Sequence, residues 1–480
     1  MGHRGHYDLA VIGGGAAGLT VAAGAGRLGV KTLLIEAEPA LGGDCLHYGC
    51  VPSKTLLETA RARHMAARAE AFGLPAMALP PVDFAAVRRR IEAVIAGIQE
   101  HDSVARFTGL GVTVRFGQAR FRDANSLEVY GETLTADRIV IAAGSRAAVP
   151  DIPGLAEAGY VTNRELFSLP GLPESLVILG GGAIAAEMGQ AFARLGSRVT
   201  IIQRSGRLLS KEDPDLAQVV EAGLAADGVR LLLGAKVASV VGPDPAGLRT
   251  VTVEQGGARE TVAAEVILVA QGRTPNTDAL GLDAVGIAHT KKGLVLDGRL
   301  RTNLPHVFGA GDVTGEHQFT HAAGYEGGVV LAGAVFRLPR QAAYGFMPRG
   351  VYSDPGLAAA GLTQAQAVAA GIAHTVVAEP YAGNDRARAA GTPEGLVKLV
   401  LGKGGRLLGV GIAGAGAGEQ LALWLAAKAG KVGLSTLAGT VLPYPTLAET
   451  GKRAAGRPLE AKLFSGLTRR VLRLLFGYRG

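Results

Sequence analysis

One pattern of apolar and small residues occurs twice along the chain. Tyr7–Ile12 is a short, mostly apolar run, as expected of a strand buried on both faces of a parallel sheet. A glycine-rich turn follows, Gly13-Gly14-Gly15-Ala16-Ala17-Gly18. Then come an alanine-rich stretch, Leu19–Leu28, that reads as a helix, and a second apolar run, Val30–Ile35, that ends at Glu36. The same order returns at Ser175–Leu179, Gly180-Gly181-Gly182-Ala183-Ile184-Ala185, a helix through Leu195, and a strand at Arg198–Ile202. The interval from Gly13 to Glu36 equals that from Gly180 to Gln203. A third pattern lies at the end: on a helical wheel of Leu459–Phe476, Leu463, Phe464, Leu467, Val471, Leu474 and Leu475 share one arc. Lys462, Arg469, Arg470 and Arg473 share another.

Each small residue in the repeated turns has a physical task. Gly13 makes the tight turn, Gly15 lets a pyrophosphate reach the backbone, and Gly18 lets helix and strand pack closely. The helix N-terminus turns unpaired N–H groups towards the phosphates, and Glu36 is placed to accept from a ribose hydroxyl. Gly180, Gly182 and Ala185 stand at the corresponding places of the second unit. Two Rossmann-type units in one chain imply two dinucleotides. The second unit has no acid where the first has Glu36; it has Gln203 and Arg204, with Arg207 nearby. Arginines without a carboxylate suit a 2′-phosphate, which favours NADPH and leaves NADH open. The alternative is that both are ordinary surface charges.

Composition narrows the class. A chain of 480 residues, 48% hydrophobic, favours about three domains, and 71 glycines with few aromatics suit an α/β protein with many tight turns. Met1–His6 is short and polar, so no signal peptide is expected, and no apolar run is long enough for a transmembrane helix. The expected compartment is the cytoplasm. The net charge of +8 is concentrated in residues 452–480, where Glu460 is the single acid; basicity is therefore no argument for nucleic acid. The two cysteines, Cys45 and Cys50, point to redox or metal chemistry, although Cys-x4-Cys alone is weak for a metal and no metal site is expected. Regular helix would hold their Cα atoms roughly 8–9 Å apart, whereas a disulfide needs about 7 Å or less. If the two pair, the segment is not regular helix; Gly49 allows the break, and Pro52 suits the first turn of a helix from near Cys50 into Thr55–Arg68. Cys50 then sits at a helix N-terminus, where a thiolate is favoured.

The run Gly42-Gly43-Asp44-Cys45-Leu46-His47-Tyr48-Gly49-Cys50-Val51-Pro52-Ser53-Lys54, between the two nucleotide units, resembles the class I pyridine nucleotide-disulfide oxidoreductases. These include dihydrolipoamide dehydrogenase, glutathione reductase and mercuric reductase. The resemblance covers Tyr7 to Gly456. It implies an α/β fold: an FAD-binding domain in two parts (1–150 and 273–345), an NAD(P)-binding domain (151–272) and an α+β dimerisation domain (346–456). Residues 457–480 are left as a basic amphipathic tail.

By the same resemblance the cofactors are FAD and a nicotinamide nucleotide, and the protein is a homodimer. Cys50 is the flavin-proximal thiol and Cys45 the interchange thiol; Lys54 lies near the flavin, paired with Glu187. Asp312 binds the ribityl chain, Gly43, Ala119, Gly144 and Thr320 match flavin-side positions, and Gly272 matches a nicotinamide-side position. Leu442-Pro443-Tyr444-Pro445-Thr446-Leu447-Ala448-Glu449 occupies the place where disulfide reductases carry His-Pro-Thr and a glutamate from the other subunit. Glu449 matches, and Tyr444 replaces the histidine. Tyr444, with the small Ala183, is similar to mercuric reductase, but this chain has no further cysteine to deliver Hg(II), and His47-Tyr48 departs from the usual Asn-Val. The expected reaction passes electrons from nicotinamide through flavin and Cys45–Cys50 to a disulfide, a small thiol-reactive molecule or a metal-ion substrate. Alternatives are oxidation of a dithiol with NAD, and a membrane-associated electron-transfer flavoprotein whose tail makes peripheral membrane contact; the tail helix equally suits packing on its own dimer.

Overall fold

The computed structural model describes residues 5–478. The first repeat forms strand β1 (His6–Ile12), helix α1 (Ala16–Arg27) and strand β2 (Thr32–Glu36). Helix α1 starts three residues earlier than its alanine-rich pattern suggests, because the extended Gly15 (φ −87°, ψ −171°) sets its first turn at Ala16. Two short-spaced helices follow, α2 (Gly43–His47) and α3 (Cys50–Ala67), then strands β3 (Val112–Phe116), β4 (Arg120–Asp123), β5 (Ser126–Val129) and β6 (Glu132–Ile141). These strands make one sheet in the order β3-β2-β1-β6-β5-β4. β1 runs parallel to both β2 and β6, in register Leu9↔Thr32 and Leu9↔Arg138.

The second repeat gives β7 (Ser175–Leu179), helix α4 (Ala183–Leu195) and β8 (Arg198–Gln203). With β9 (Arg230–Leu233) and β10 (Val266–Val269) they form a parallel sheet in the order β9-β8-β7-β10. Every residue of β7 is buried, which is why its sequence shows no alternation. The chain then returns to the first sheet: β11 (Val307–Gly309) pairs parallel with β6, and helix α5 (Thr320–Ala334) packs against α1.

A five-stranded antiparallel sheet closes the body, in chain order β12 (Pro348–Val351), β13 (Gly356–Gly361), β14 (Thr375–Pro380), β15 (Gly395–Leu401) and β16 (Leu407–Gly414). Helix α6 (Ala417–Ala429) covers it, with Trp424 in the core. The tail differs from a single helix over Leu459–Phe476. Helix α7 (Ala448–Leu463) runs unbroken past residue 457 and stops at Phe464; a separate helix, α8 (Gly466–Phe476), begins after it. The break has a local cause: the Ser465 hydroxyl accepts the Thr468 N–H and caps a new helix. Among the described residues no helix is long and apolar enough to cross a membrane.

Candidate active site

The first nucleotide cradle is built from backbone. Gly13 has φ +107°, and a Cβ there would lie 2.2 Å from the Ala142 carbonyl oxygen. A Cβ on Gly18 would lie 1.8 Å from Gly13 O, so the glycine is what lets α1 start against β1. Gly43 (φ +62°) brings the cysteine segment against Gly15: its Cβ would stand 2.7 Å from the Gly15 Cα. No side chain caps α1, so its first N–H groups are open to an anion. Glu36 is buried at the strand end and accepts the N–H of Gly14 (2.6 Å) and of Glu38 (2.7 Å). The carboxylate is thereby fixed beside the turn with lone pairs to spare for a hydroxyl. A diphosphate with an attached ribose fits these residues.

The second cradle repeats the geometry. Gly180 has φ +123°, with a Cβ position 2.3 Å from Ala270 O; no atom lies within 4 Å of the Cβ position of Gly182. Ala185 is buried against the core. Arg204 is exposed at the end of β8. Arg207 turns into its own loop instead, donating to the carbonyls of Ser210 (2.8 Å) and Glu212 (3.3 Å), and its buried Nε has no partner among the described residues. Gly272 (φ +118°) has open space on its Cβ side.

The two cysteines meet across the α2–α3 break. Gly49 is needed there for close approach: a Cβ would stand 2.9 Å from Asp44 O and 3.2 Å from the Cys45 Cα. Cys50 is the first residue of α3, and both thiols are free. Its Sγ lies 3.4 Å from the hydroxyl of Thr320, the first residue of α5. The hydrogen bond from the Cys45 thiol holds Cys50 down to about 6, helped by Thr320 and the positive charge of Lys54 and opposed by desolvation and Glu187. The same hydrogen bond, together with burial, pushes Cys45 up. Cys50 therefore ionises first and Cys45 keeps its proton. In the reduced protein the thiolate is present above about pH 6 and is lost as pH falls through that value. Alkylation of Cys50 by iodoacetamide, followed by peptide mass spectrometry, is expected to show a midpoint about 6. A midpoint of about 8.5, the ordinary cysteine value, would contradict this environment.

One turn beyond Cys50, Lys54 Nζ is 2.7 Å from Glu187 Oε2 on α4. Glu187 is only 4% exposed, and its other oxygen accepts the Tyr352 N–H at 3.0 Å. Lys54 also stands 4.5 Å over the Tyr352 ring. Asp312 accepts from the Ser145 hydroxyl (2.5 Å) and lies 3.3 Å from Arg273 Nε, while burial pushes its carboxyl up. Arg273 reaches Asp44 as well, at 2.9 Å, and so ties the cysteine segment to the Asp312 loop. Glu326 is fully buried behind that loop, where it accepts the Gly311 N–H (2.6 Å) and the Tyr344 hydroxyl (2.7 Å). Gly144 has φ +71° and its carbonyl accepts from Asn276 N–H; Ala119 is buried.

Sequence reasoning missed Arg273, Tyr352, Glu326 and Tyr344. Arg273 directly follows Gly272, so its place in the chain is a usable signal; the others carry no local signal. Tyr444 and Glu449 are not brought to the cysteines of their own chain. Tyr444 is 71% exposed and donates to Asp385 Oδ2 at 2.9 Å; Glu449 accepts weakly from Thr446 N–H at 3.4 Å. His47 turns back to the Leu41 carbonyl (3.0 Å), and the Tyr48 ring lies under Arg164.

Comparison with known proteins gives a consistent set of matches. The family model described as pyridine nucleotide-disulphide oxidoreductase matches residues 7–327, and that family's dimerisation domain matches residues 347–455. The chain is 33% identical to a mercuric reductase of Staphylococcus aureus, covering 94% of this chain and 82% of that protein. It is 34% identical to a dihydrolipoyl dehydrogenase of Chlorobaculum tepidum, covering 95% and 97%. Among solved structures, the Cu(II) complex of the HOCl-induced flavoprotein disulfide reductase RclA from Escherichia coli superposes with a TM-score of 0.83 at 28% identity, over 94% of this chain and 99% of that one.

Proposed function

The chain belongs to the pyridine nucleotide-disulphide oxidoreductase family, whose members use FAD and NAD(P)H, and from that premise we propose that it passes electrons from NADPH through Cys45 and Cys50 to a disulfide, a thiol-reactive molecule or a metal ion. The observation that carries this reading is the placement of Cys50: first residue of α3, its Sγ 3.4 Å from the Thr320 hydroxyl, one turn from Lys54 and its 2.7 Å pair with Glu187. A flavin nucleotide held by the turn at residues 13–18, Glu36 and Asp312 would supply two-electron transfer between nicotinamide and disulfide. The residues do the rest. Cys50 holds negative charge at neutral pH, and Lys54 stabilises it. With a disulfide substrate, Cys45 gives its proton to the Cys50 thiolate and attacks one sulfur. The substrate S–S bond breaks, and the leaving thiolate takes that proton. Cys50 then attacks the Cys45 Sγ, re-forming the Cys45–Cys50 disulfide and releasing the second thiol. A metal ion is held by the two sulfurs. The dimerisation domain brings a second copy, and the partner subunit's Tyr444 and Glu449 complete the substrate side. Tyr444, a phenol raised further by its bond to Asp385, serves as donor or ligand rather than as base. Exposed Arg204 supports NADPH over NADH.

Substrate choice is tested by turnover of the holoenzyme with NADPH and a panel of Hg(II) in excess thiol, Cu(II) and small disulfides, and by NAD reduction with dihydrolipoamide. Turnover with at least one oxidant of the panel and little with dihydrolipoamide is expected, because no histidine stands at position 444 to act as base. Faster turnover with dihydrolipoamide and NAD would overturn the reading. Peripheral membrane contact by residues 459–476 belongs to the same proposal, supported by the exposed apolar arc of the tail.

A further inference from the structure

Helix α8 has no buried residue. It follows α7 after the break at Phe464 and Ser465, and the two family matches end before it, at residues 327 and 455. Leu467 is 73% exposed and Leu474 85%, and Leu463, Phe464, Leu475 and Phe476 are exposed with them. A helix this short is marginal in water by itself, so its apolar side needs a surface. The charge around it restricts what that surface can be. Residues 461–478 contain no acid. Among the described residues no carboxylate lies within ion-pair reach of Lys462, Arg469 or Arg470: Glu460 is engaged by Arg457, and Arg469 donates one N–H to the Phe464 carbonyl (3.2 Å), which leaves its charge uncompensated.

We propose that α8 is an anionic-lipid reader: Leu467, Leu474 and Leu475 enter the headgroup–acyl boundary while Arg469 and Arg470 hold acidic phospholipid headgroups at its edge. This rests on the membrane reading above and adds to it the lipid charge. A second copy of the tail is the poorer occupant, because it brings the same uncompensated positive charge. An anionic headgroup layer brings the opposite charge and an apolar layer beneath it.

The test is sedimentation of the full-length holoenzyme with phosphatidylcholine vesicles, with and without phosphatidylglycerol, alongside R469Q/R470Q and L467E/L474E. NADPH turnover and dimer mass serve as fold controls. The inference expects binding to the phosphatidylglycerol vesicles, weakened about tenfold or more in R469Q/R470Q, abolished in L467E/L474E, and absent with phosphatidylcholine alone. Equal binding to both vesicles would overturn the lipid-charge inference and leave the membrane reading standing. Binding to neither would overturn both. If L467E/L474E is monomeric while the parent ignores vesicles, the apolar arc belongs to a second copy and the inference fails.

Discussion

Cys50→Ser is expected to leave a yellow, folded protein that no longer develops long-wavelength thiolate-to-flavin absorbance on reduction and whose turnover falls on the order of 10³-fold or more. The change is nearly isosteric, and Cys50 is exposed at a helix start, so packing is little disturbed. What is lost is the group that ionises. A serine hydroxyl cannot reach the thiolate state that Cys45, Thr320 and Lys54 together hold at about pH 6. Cys45→Ser separates the roles. Serine keeps a donor to Cys50, so the absorbance is expected to survive while disulfide turnover is lost. If both variants kept the band, or if Cys45→Ser alone lost it, the assignment of the two thiols would be wrong.

Gly13→Ala is expected to damage the first nucleotide cradle. The methyl would be forced to 2.2 Å from the Ala142 carbonyl oxygen at a backbone angle of φ +107°, which side chains rarely adopt. Strain and overpacking together cost about 3 kcal/mol or more. The cost falls on the turn that aims α1 at the nucleotide cradle, so loss of FAD is expected at a concentration where the parent retains it. Gel filtration followed by flavin absorbance, with urea unfolding of the same samples, measures both effects. Full FAD retention with an unchanged urea midpoint would show that the turn is not the cradle.

The contrast between these two sites explains what was legible in the sequence. The nucleotide turns are local: strand, glycine turn, helix and strand follow within one stretch of chain, and each glycine answers to a steric demand from a neighbour fixed by the same pattern. The break between Cys45 and Cys50 was legible for the same reason, since helix geometry alone opposes their pairing. Lys54 and Glu187 needed the family resemblance, because nothing near either residue points to the other; the fold brings them to 2.7 Å. Arg273, Tyr352 and Glu326 escaped because their partners lie on distant segments and polar residues in loops carry no periodic signal. The end of α7 escaped because the wheel over Leu459–Phe476 counts apolar positions and is blind to a capping serine. Arg207 shows a further limit: composition supplied a second arginine beside Arg204, but the side chain satisfies its own loop. Tyr444 and Glu449, proposed to face the partner's cysteines, contact Asp385 and Thr446 within their own chain, which no local pattern near either residue announces.

The central claim is that nicotinamide, flavin and the cysteine pair form one electron path. Anaerobic titration of the purified holoenzyme with NADPH, and separately with NADH, followed by visible absorbance, tests it most directly. The account predicts a long-wavelength band after one two-electron equivalent, formed more readily with NADPH, and fading as pH is lowered through about 6. Bleaching of the flavin without that band would mean that Cys45 and Cys50 do not exchange electrons with it, and would contradict the account.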